Sequence, residues 1–130
     1  MTENQRIQEL FNELHMQREF PFPQHGKRLI VPREPGVYII RRGKTVLHVG
    51  RTVRARGGLH KRLTDHLHGS SSFTKEYLEG NGERLRDSGH SYQYLEVQDP
   101  RLRALLEAYA IGSLFPRHLG LGRQGCQQDE

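Results

Sequence analysis

Cysteine is nearly absent from this chain of 130 residues, since Cys126 is the only one. A single cysteine excludes an intrachain disulfide and a zinc site built on several cysteines. The sequence also lacks an apolar run that could cross a bilayer or act as a secretory signal, and its first ten residues, MTENQRIQEL, are polar. These absences predict a cytosolic protein that does not enter a membrane.

Acidic residues are missing from a central segment that is rich in cations. No Asp or Glu occurs between positions 41 and 62, although the whole chain has 15 of them against 20 Lys and Arg. The cations of this segment are Arg41, Arg42, Lys44, Arg51, Arg54, Arg56, Lys61 and Arg62. Unopposed positive charge concentrated in one segment favours a polyanionic partner, which makes nucleic acid the first candidate.

Two short apolar runs, at 37–40 and 46–49, flank a loop that contains Gly43 and predict a β-hairpin. With Gly43 at the apex, Val37 would face Val49 and Tyr38 would face His48. One face of the hairpin would then carry the apolar residues Val37, Ile39, Leu47 and Val49. The other face would carry Tyr38 and His48 side by side.

The remaining periodicity is mostly helical. A first helix, capped by Thr2 and ending near Arg18, has an apolar stripe of Ile7, Leu10, Phe11 and Leu14. A second helix is predicted over 59–67, a short one over 73–78, a strand over 91–97, and a last helix from Asp99 to about Phe115. The sequence therefore predicts an α+β domain at 34–120, with a helical and proline-containing lead-in at 1–33 and a polar tail at 121–130.

One carboxylate, Glu107, interrupts the apolar run of the last helix, which we expect to be the buried element of the domain. An unpaired charge in such a place is costly, so Glu107 must pair, coordinate a cation or reach a wet cleft. Arg103, one turn earlier, is the available partner on the same helix. Residue chemistry alone leaves these alternatives open.

Four features taken together resemble the GIY-YIG nuclease superfamily, in the form of a small stand-alone bacterial or phage-type domain. The two family triads correspond to Gly36-Val37-Tyr38 and His48-Val49-Gly50. The family's helical arginine matches Arg62, and the local sequence RLTDH places the histidine of the restriction-enzyme branch at His66. The metal-binding glutamate of the family matches Glu107. The resemblance covers about residues 34 to 119 and implies a small three-stranded mixed or antiparallel sheet flanked by helices, to which the N-terminal helix is an addition.

Two positions depart from the family pattern. His48 stands where the second triad has a tyrosine, and Leu119 stands where an asparagine often follows the final proline. Histidine can exchange a proton near neutral pH, so His48 is able to replace the tyrosine functionally. Leucine has no polar group to offer.

The resemblance implies a metal-dependent DNA endonuclease, with Mg²⁺ or Mn²⁺ held by Glu107. Arg62 would grip the scissile phosphate, and His66 would be the family histidine. Tyr38 would activate water if Arg51 and Arg62 favoured its phenolate, or else His48 would be the base. We assign the remaining cations, Arg41, Arg42, Lys44, Arg51, Arg54, Arg56 and Lys61, to phosphate contacts.

Two rival functions come from other classes. A catalytically impaired nucleic-acid-binding module of the same fold would bind DNA without cleaving it. A protein-interaction domain would use the same basic face for an acidic protein partner, and it would not retain DNA even at low salt.

Overall fold

An antiparallel sheet of four strands forms the centre of the protein in a computed structural model that describes residues 1–53, 56–87 and 89–120. Arg54 and the polar tail, with Cys126, lie outside the described residues. The elements in chain order are α1 (Glu3–His15), β1 (Phe20–Pro21), β2 (Gly36–Arg42), β3 (Thr45–Arg51), α2 (Gly58–His68), α3 (Ser72–Tyr77), a 3₁₀ helix (Gly82–Arg86), β4 (His90–Glu96) and α4 (Pro100–Leu114). The predicted α+β class is therefore confirmed.

The sheet has one strand more than the sequence predicted. Its strand order is β1-β4-β2-β3, and every neighbouring pair is antiparallel. The extra strand, β1, is only two residues long and pairs Phe20 with Tyr92 and Pro21 with Ser91. Two residues are too few to show the alternation that predicts a strand, and the proline argues against one. Proline is tolerated here because β1 lies at the edge of the sheet.

The hairpin forms as predicted, but its register differs. Ile39 pairs with Val49 and Ile40 with His48, and the pairing then shifts so that Arg41 faces Val46. Leu47 is the extra residue of a β-bulge, and it packs in the core on the face that carries Tyr38 rather than with Val49. Two features shift the register away from one counted symmetrically about Gly43. The turn has two residues, Gly43 and Lys44, since Arg42 pairs with Thr45, and the bulge then adds one more residue.

Helices cover both faces of the sheet. Helices α1 and α4 pack on the face of β2 that carries Val37 and Ile39, with Leu14 and Leu106 fully buried between them. Helix α2 packs on the face that carries Tyr38, and its predicted apolar stripe of Leu59, Leu63 and Leu67 is buried there. The lead-in segment adds Phe22, Leu29 and Val31 to this second layer of the core.

Helix α1 begins as predicted and ends earlier. Thr2 and Gln5 form a reciprocal capping box at its start. Its end is at His15 rather than near Arg18, because the buried side chain of Gln93 donates hydrogen bonds to the carbonyls of His15 and Gln17. A contact with a strand so distant in sequence decides where the helix stops.

Helix α4 is less deeply buried than its composition suggested. Only Arg103, Leu106 and Ala110 of this helix are buried, while Tyr109 on the opposite side is exposed. Arg103 does not pair with Glu107, since its guanidinium donates to the carbonyls of Thr52, Val97 and Gln98. In the part of the chain that the structure describes, neither α4 nor any other helix has the length and apolar character needed to cross a bilayer.

Candidate active site

The site lies at the open edge of β3, between α2 and α4. A cleft of about 460 Å³ is lined there by His48, Gly50, Arg51, Arg62, Glu107 and Leu119, together with Val49, Val53, Ile111 and Gly120. Farther along the same edge, the backbone of His118 donates to the carbonyl of Leu47, so the segment after α4 covers that part of the strand. The cleft is the stretch of this edge that remains open.

Tyr38 lies directly beneath the floor of the cleft and is fully buried. It faces Gly50 across the hairpin, and a Cβ atom at Gly50 would come within 2.3 Å of the phenol oxygen. Only glycine leaves space for the ring at this position. The position of Tyr38 in the first triad therefore explains why the second triad ends in a glycine, Gly50.

The phenol of Tyr38 belongs to a chain of buried hydrogen bonds. Its oxygen lies 2.6 Å from Nε2 of His66, and Nδ1 of His66 lies 2.6 Å from Oγ of Ser71. Ser71 contacts Oγ1 of Thr74 at 3.0 Å, and Thr74 donates to the carbonyl of His66 at 2.6 Å. Counting donors along this chain assigns every proton in it.

The hydroxyl of Thr74 gives its proton to a carbonyl, which can only accept, so Oγ1 of Thr74 must accept from Ser71. Ser71 then has no proton left for His66, and Nδ1–H of His66 is the donor to Ser71. In the neutral imidazole this leaves Nε2 unprotonated. Tyr38 therefore donates its phenol proton to His66.

Burial decides the protonation state of Tyr38. It raises the pKa of the phenol to about 12, although the positive charge of Arg62 acts in the opposite direction. The phenolate that Arg51 and Arg62 were expected to favour is thus not the ground state at neutral pH. Tyr38 is a protonated phenol that donates its hydrogen bond to Nε2 of His66.

A second buried chain runs through His48. Nδ1 of His48 lies 3.1 Å from Nδ1 of His118, and Nε2 of His118 lies 2.7 Å from a carboxylate oxygen of Glu76. The carboxylate accepts Nε2–H of His118, whose ring links Glu76 to His48.

Both histidines beside Tyr38 are neutral at pH 7. Burial lowers the pKa of His48 to about 3, and the positive charge of Arg62 acts in the same direction. Burial also lowers the pKa of His66 well below its ordinary value, and the positive charge of Arg62 acts in the same direction. The expectation that His48 titrates near neutral pH does not hold, because burial disfavours the charged imidazolium.

Glu107 reaches the cleft instead of pairing along its own helix. One of its carboxylate oxygens accepts a hydrogen bond from Nη1 of Arg51 at 2.7 Å, and about 20% of its side chain is exposed. Its charge is felt at Tyr38, where it opposes the effect of Arg62 on the phenol. Tyr38, His48, Arg62, His66 and Glu107, which come from four elements, are therefore neighbours.

A second depression, which we call the basic groove, continues from the cleft and shares Arg51, Val53 and Arg62 with it. Its other lining residues are Arg56, Gly58, Lys61 and Asp65. Asp65 binds Lys61 at 2.7 Å, whereas Nη1 of Arg62 lies 3.6 Å from it, beyond hydrogen-bonding distance. Arg62 thus presents donors at the junction of the cleft and the groove.

The predicted phosphate-binding cations separate into two groups. Arg51, Arg56 and Lys61 line the basic groove beside Arg62. Arg41, Arg42 and Lys44 lie at the turn end of the hairpin, and Arg42 is four strand positions from Tyr38, about 13 Å away. Arg41 also donates to Gln93 at 2.6 Å. The structure does not bring this second group to the cleft.

The donor set at Glu107 fits a hard divalent cation. Carboxylate oxygen is the preferred ligand of Mg²⁺, which usually keeps several waters and takes few protein ligands. Glu107 offers such an oxygen at an open cleft. Among the described residues no cluster of three or more His, Cys, Asp or Glu side chains could hold an ion alone. Water and substrate would have to complete the coordination.

Sequence reasoning missed the residues that surround the two histidines. His118 shows no metal-ligand spacing in the sequence, and Glu76, Ser71 and Thr74 carry no motif that would identify them. His118 follows the proline that ends α4, and its backbone pairing with β3 brings it to a partner distant in sequence, His48. Leu119 lies at the rim of the cleft with 39% of its surface exposed.

Comparison with known proteins gives no family assignment. No family model matches the sequence, and no match was found among curated proteins or among solved structures.

Proposed function

We propose that this protein is a metal-dependent endonuclease that hydrolyses phosphodiester bonds in DNA at the cleft between α2 and α4. The observation that carries the proposal is the meeting of two arginines, a carboxylate and a histidine in one open cleft, above a buried phenol that donates to an imidazole. Each of these groups has a common structural role when it occurs alone. A shared site for groups from such distant parts of the chain favours chemistry.

Arg51 and Arg62 would bind the anionic oxygens of the scissile phosphate. Arg62 lines the cleft, and a guanidinium fork matches two phosphate oxygens at once. Arg51 holds Glu107 through Nη1, which leaves its other donors for phosphate. The two arginines thus stabilise the charge that grows on phosphate during attack by water.

The proton of the attacking water would leave through Tyr38. As the phenol oxygen accepts this proton, the phenol proton moves to Nε2 of His66, where Ser71 stabilises the imidazolium through Nδ1–H. Phosphate in the cleft would offset the positive charge of Arg62, which is one of the causes that lower the pKa of His66. Substrate would therefore make His66 a better base.

Glu107 would hold the cation, Mg²⁺ or Mn²⁺. The bound ion would stabilise the charge that develops on the phosphate oxygens and on the leaving alkoxide. The contribution of this chain is the carboxylate, its orientation by Arg51 and a cleft open to water.

The test is cleavage of supercoiled plasmid and of branched DNA with Mg²⁺, with Mn²⁺ and with EDTA. Glu107→Gln keeps the shape and one hydrogen-bond acceptor for Arg51, so the protein should fold and cleavage should be lost. Glu13→Gln, an exposed substitution on α1, is the matched control and should cleave normally. Metal-dependent cleavage that survives in Glu107→Gln would refute the proposed role of this cleft.

A second candidate, a nucleic-acid-binding module without turnover, is favoured by one observation. The Tyr38 side chain has no exposed surface, so water reaches its oxygen only if the floor of the cleft opens. The module predicts DNA binding that weakens with salt and no cleavage of any DNA shape, with or without metal. The plasmid assay and a binding titration on the same preparation separate the two functions.

A further inference from the structure

A second basic pocket lies on the side of α2 that faces away from the cleft. We call it the rear pocket, and its volume is about 330 Å³. It is lined by Lys27, Arg28, Leu29, Arg33, His60, Thr64, Leu67, His68 and Arg86. None of these lining residues, all in the described part of the chain, is acidic. Nothing in the proposed chemistry uses this pocket.

The lead-in segment forms one wall of the rear pocket and is held in place by hydrogen bonds. A turn closed by the bond from the Lys27 amide to the Gln24 carbonyl has Gly26 at a φ of +85°, which glycine adopts without strain. Nη1 of Arg86 donates to the carbonyls of Pro23 and Gln24 at 2.6 and 3.2 Å. These bonds fix the position of the cations before any ligand arrives.

Helix α2 separates the two sites. Lys61, Arg62 and Asp65 face the basic groove, whereas His60, Thr64 and His68 face the rear pocket. The amides of Leu59 and His60 at the start of α2 are already bonded to the carbonyls of Glu34 and Pro32. The positive character of the rear pocket therefore comes from its side chains.

We propose that the rear pocket binds a phosphate of the nucleic-acid backbone, at a second contact separate from the cleft. Lys27 and Arg33 are exposed cations at its wall, and the hydroxyl of Thr64 adds a neutral donor. Glu83 offsets part of the charge of Arg86, at 2.9 Å from Nε, but the other cations of the pocket remain. The proposal takes the identity of the polyanion from the proposed function.

The separation of the two sites suits a duplex. A helix with its side chains is about 10 Å across, which is close to the width of the major groove of B-DNA, about 12 Å. If phosphates of one strand lie in the cleft, phosphates of the other strand would lie across the major groove, at a distance close to the width of α2. Contacts on both sides of α2 would hold the duplex in one orientation without reading its sequence.

The experiment measures how DNA affinity depends on salt. The full chain is titrated with a short duplex in EDTA, and log K is plotted against log salt concentration. Each phosphate contact contributes about 0.9 to the slope, so a tenfold change in salt concentration changes the affinity by about eightfold per contact. Lys27→Gln combined with Arg33→Gln should lower the slope by about 1, the contribution of the single phosphate that the pocket holds, while Arg33→Lys should leave it unchanged.

The matched control is Arg6→Gln combined with Lys75→Gln, which removes two positive charges from exposed positions outside the cleft, the basic groove and the rear pocket. It should keep the wild-type slope. Three results would each overturn the proposal. The rear-pocket variant could have the wild-type slope, both double variants could lower the slope equally, or the wild type could fail to bind DNA. A lower slope in the rear-pocket variant alone supports it even if the wild type cleaves nothing, and in that case only the proposed nuclease function fails.

Discussion

Gly50→Ala is the substitution that best tests the position of Tyr38. The added Cβ would lie 2.3 Å from the phenol oxygen and 2.5 Å from Cζ, whereas carbon atoms normally approach to about 3.5 Å. The ring would therefore have to move by about 1 Å. It is fully buried and its oxygen is bonded to His66, so it cannot move without disturbing its neighbours.

The expected cost is about 1–3 kcal/mol for overpacking and about 1 kcal/mol for the distorted hydrogen bond. Urea unfolding of the variant should therefore give a free energy of unfolding about 2–4 kcal/mol below that of the wild type. Any cleavage should fall by roughly 10²-fold, because a reacting group displaced by about 1 Å loses its alignment.

Gly112→Ala is the control, since it makes the same chemical change on an exposed face of α4 with no atom within 4 Å of the new Cβ. It should stabilise the protein by about 1 kcal/mol, because alanine is the better helix former. If Gly50→Ala proved as stable and as active as the wild type, Tyr38 would not lie beneath Gly50, and the description of the site would be wrong.

The hydrogen-bond donors assigned along the Tyr38 chain predict that NMR will find the proton of His66 on Nδ1. Thr74→Val should populate the other tautomer, because Ser71 can then donate to His66. A proton on Nε2 of His66 in the wild type would contradict the assignment. Arg62→Ala should lower cleavage by about 10²–10³-fold while costing less than about 1 kcal/mol of stability, since the arginine is partly exposed. Parallel losses of folding and activity would show that the role of Arg62 is structural. Stability should fall as pH falls below about 6.5, because the unfolded chain then protonates at His48 and His66 while the folded protein resists. Each of these two histidines contributes up to about 1.4 kcal/mol per pH unit. Urea midpoints at pH 7, 6 and 5 for the wild type and for His48→Gln measure this effect, and identical pH dependence in both would exclude His48 as a contributor.

Local signals were sufficient for most of the secondary structure. The capping pattern at Thr2 and the Asp99-Pro100 pair predicted helix starts that the structure confirms, because a cap is a contact between residues a few positions apart. The apolar stripe of α2 was equally readable, since its spacing reflects the helix itself. The hairpin was found from its apolar runs, but its bulge was not, because a single extra residue leaves no mark on those runs.

For the candidate site, too, some features follow from the sequence and others only from the tertiary structure. The sequence by itself determined which chemical groups the chain offers: a tyrosine in a Gly-x-Tyr triad, a histidine in the second triad, Arg62 followed by leucine, and a glutamate in an apolar helix. Only the tertiary structure decided that Glu107 pairs with Arg51 rather than Arg103, that His118 contacts His48, and that Tyr38 is a buried phenol. Pairing and burial depend on where distant segments meet, and the same contacts set the pKa values on which the chemistry depends.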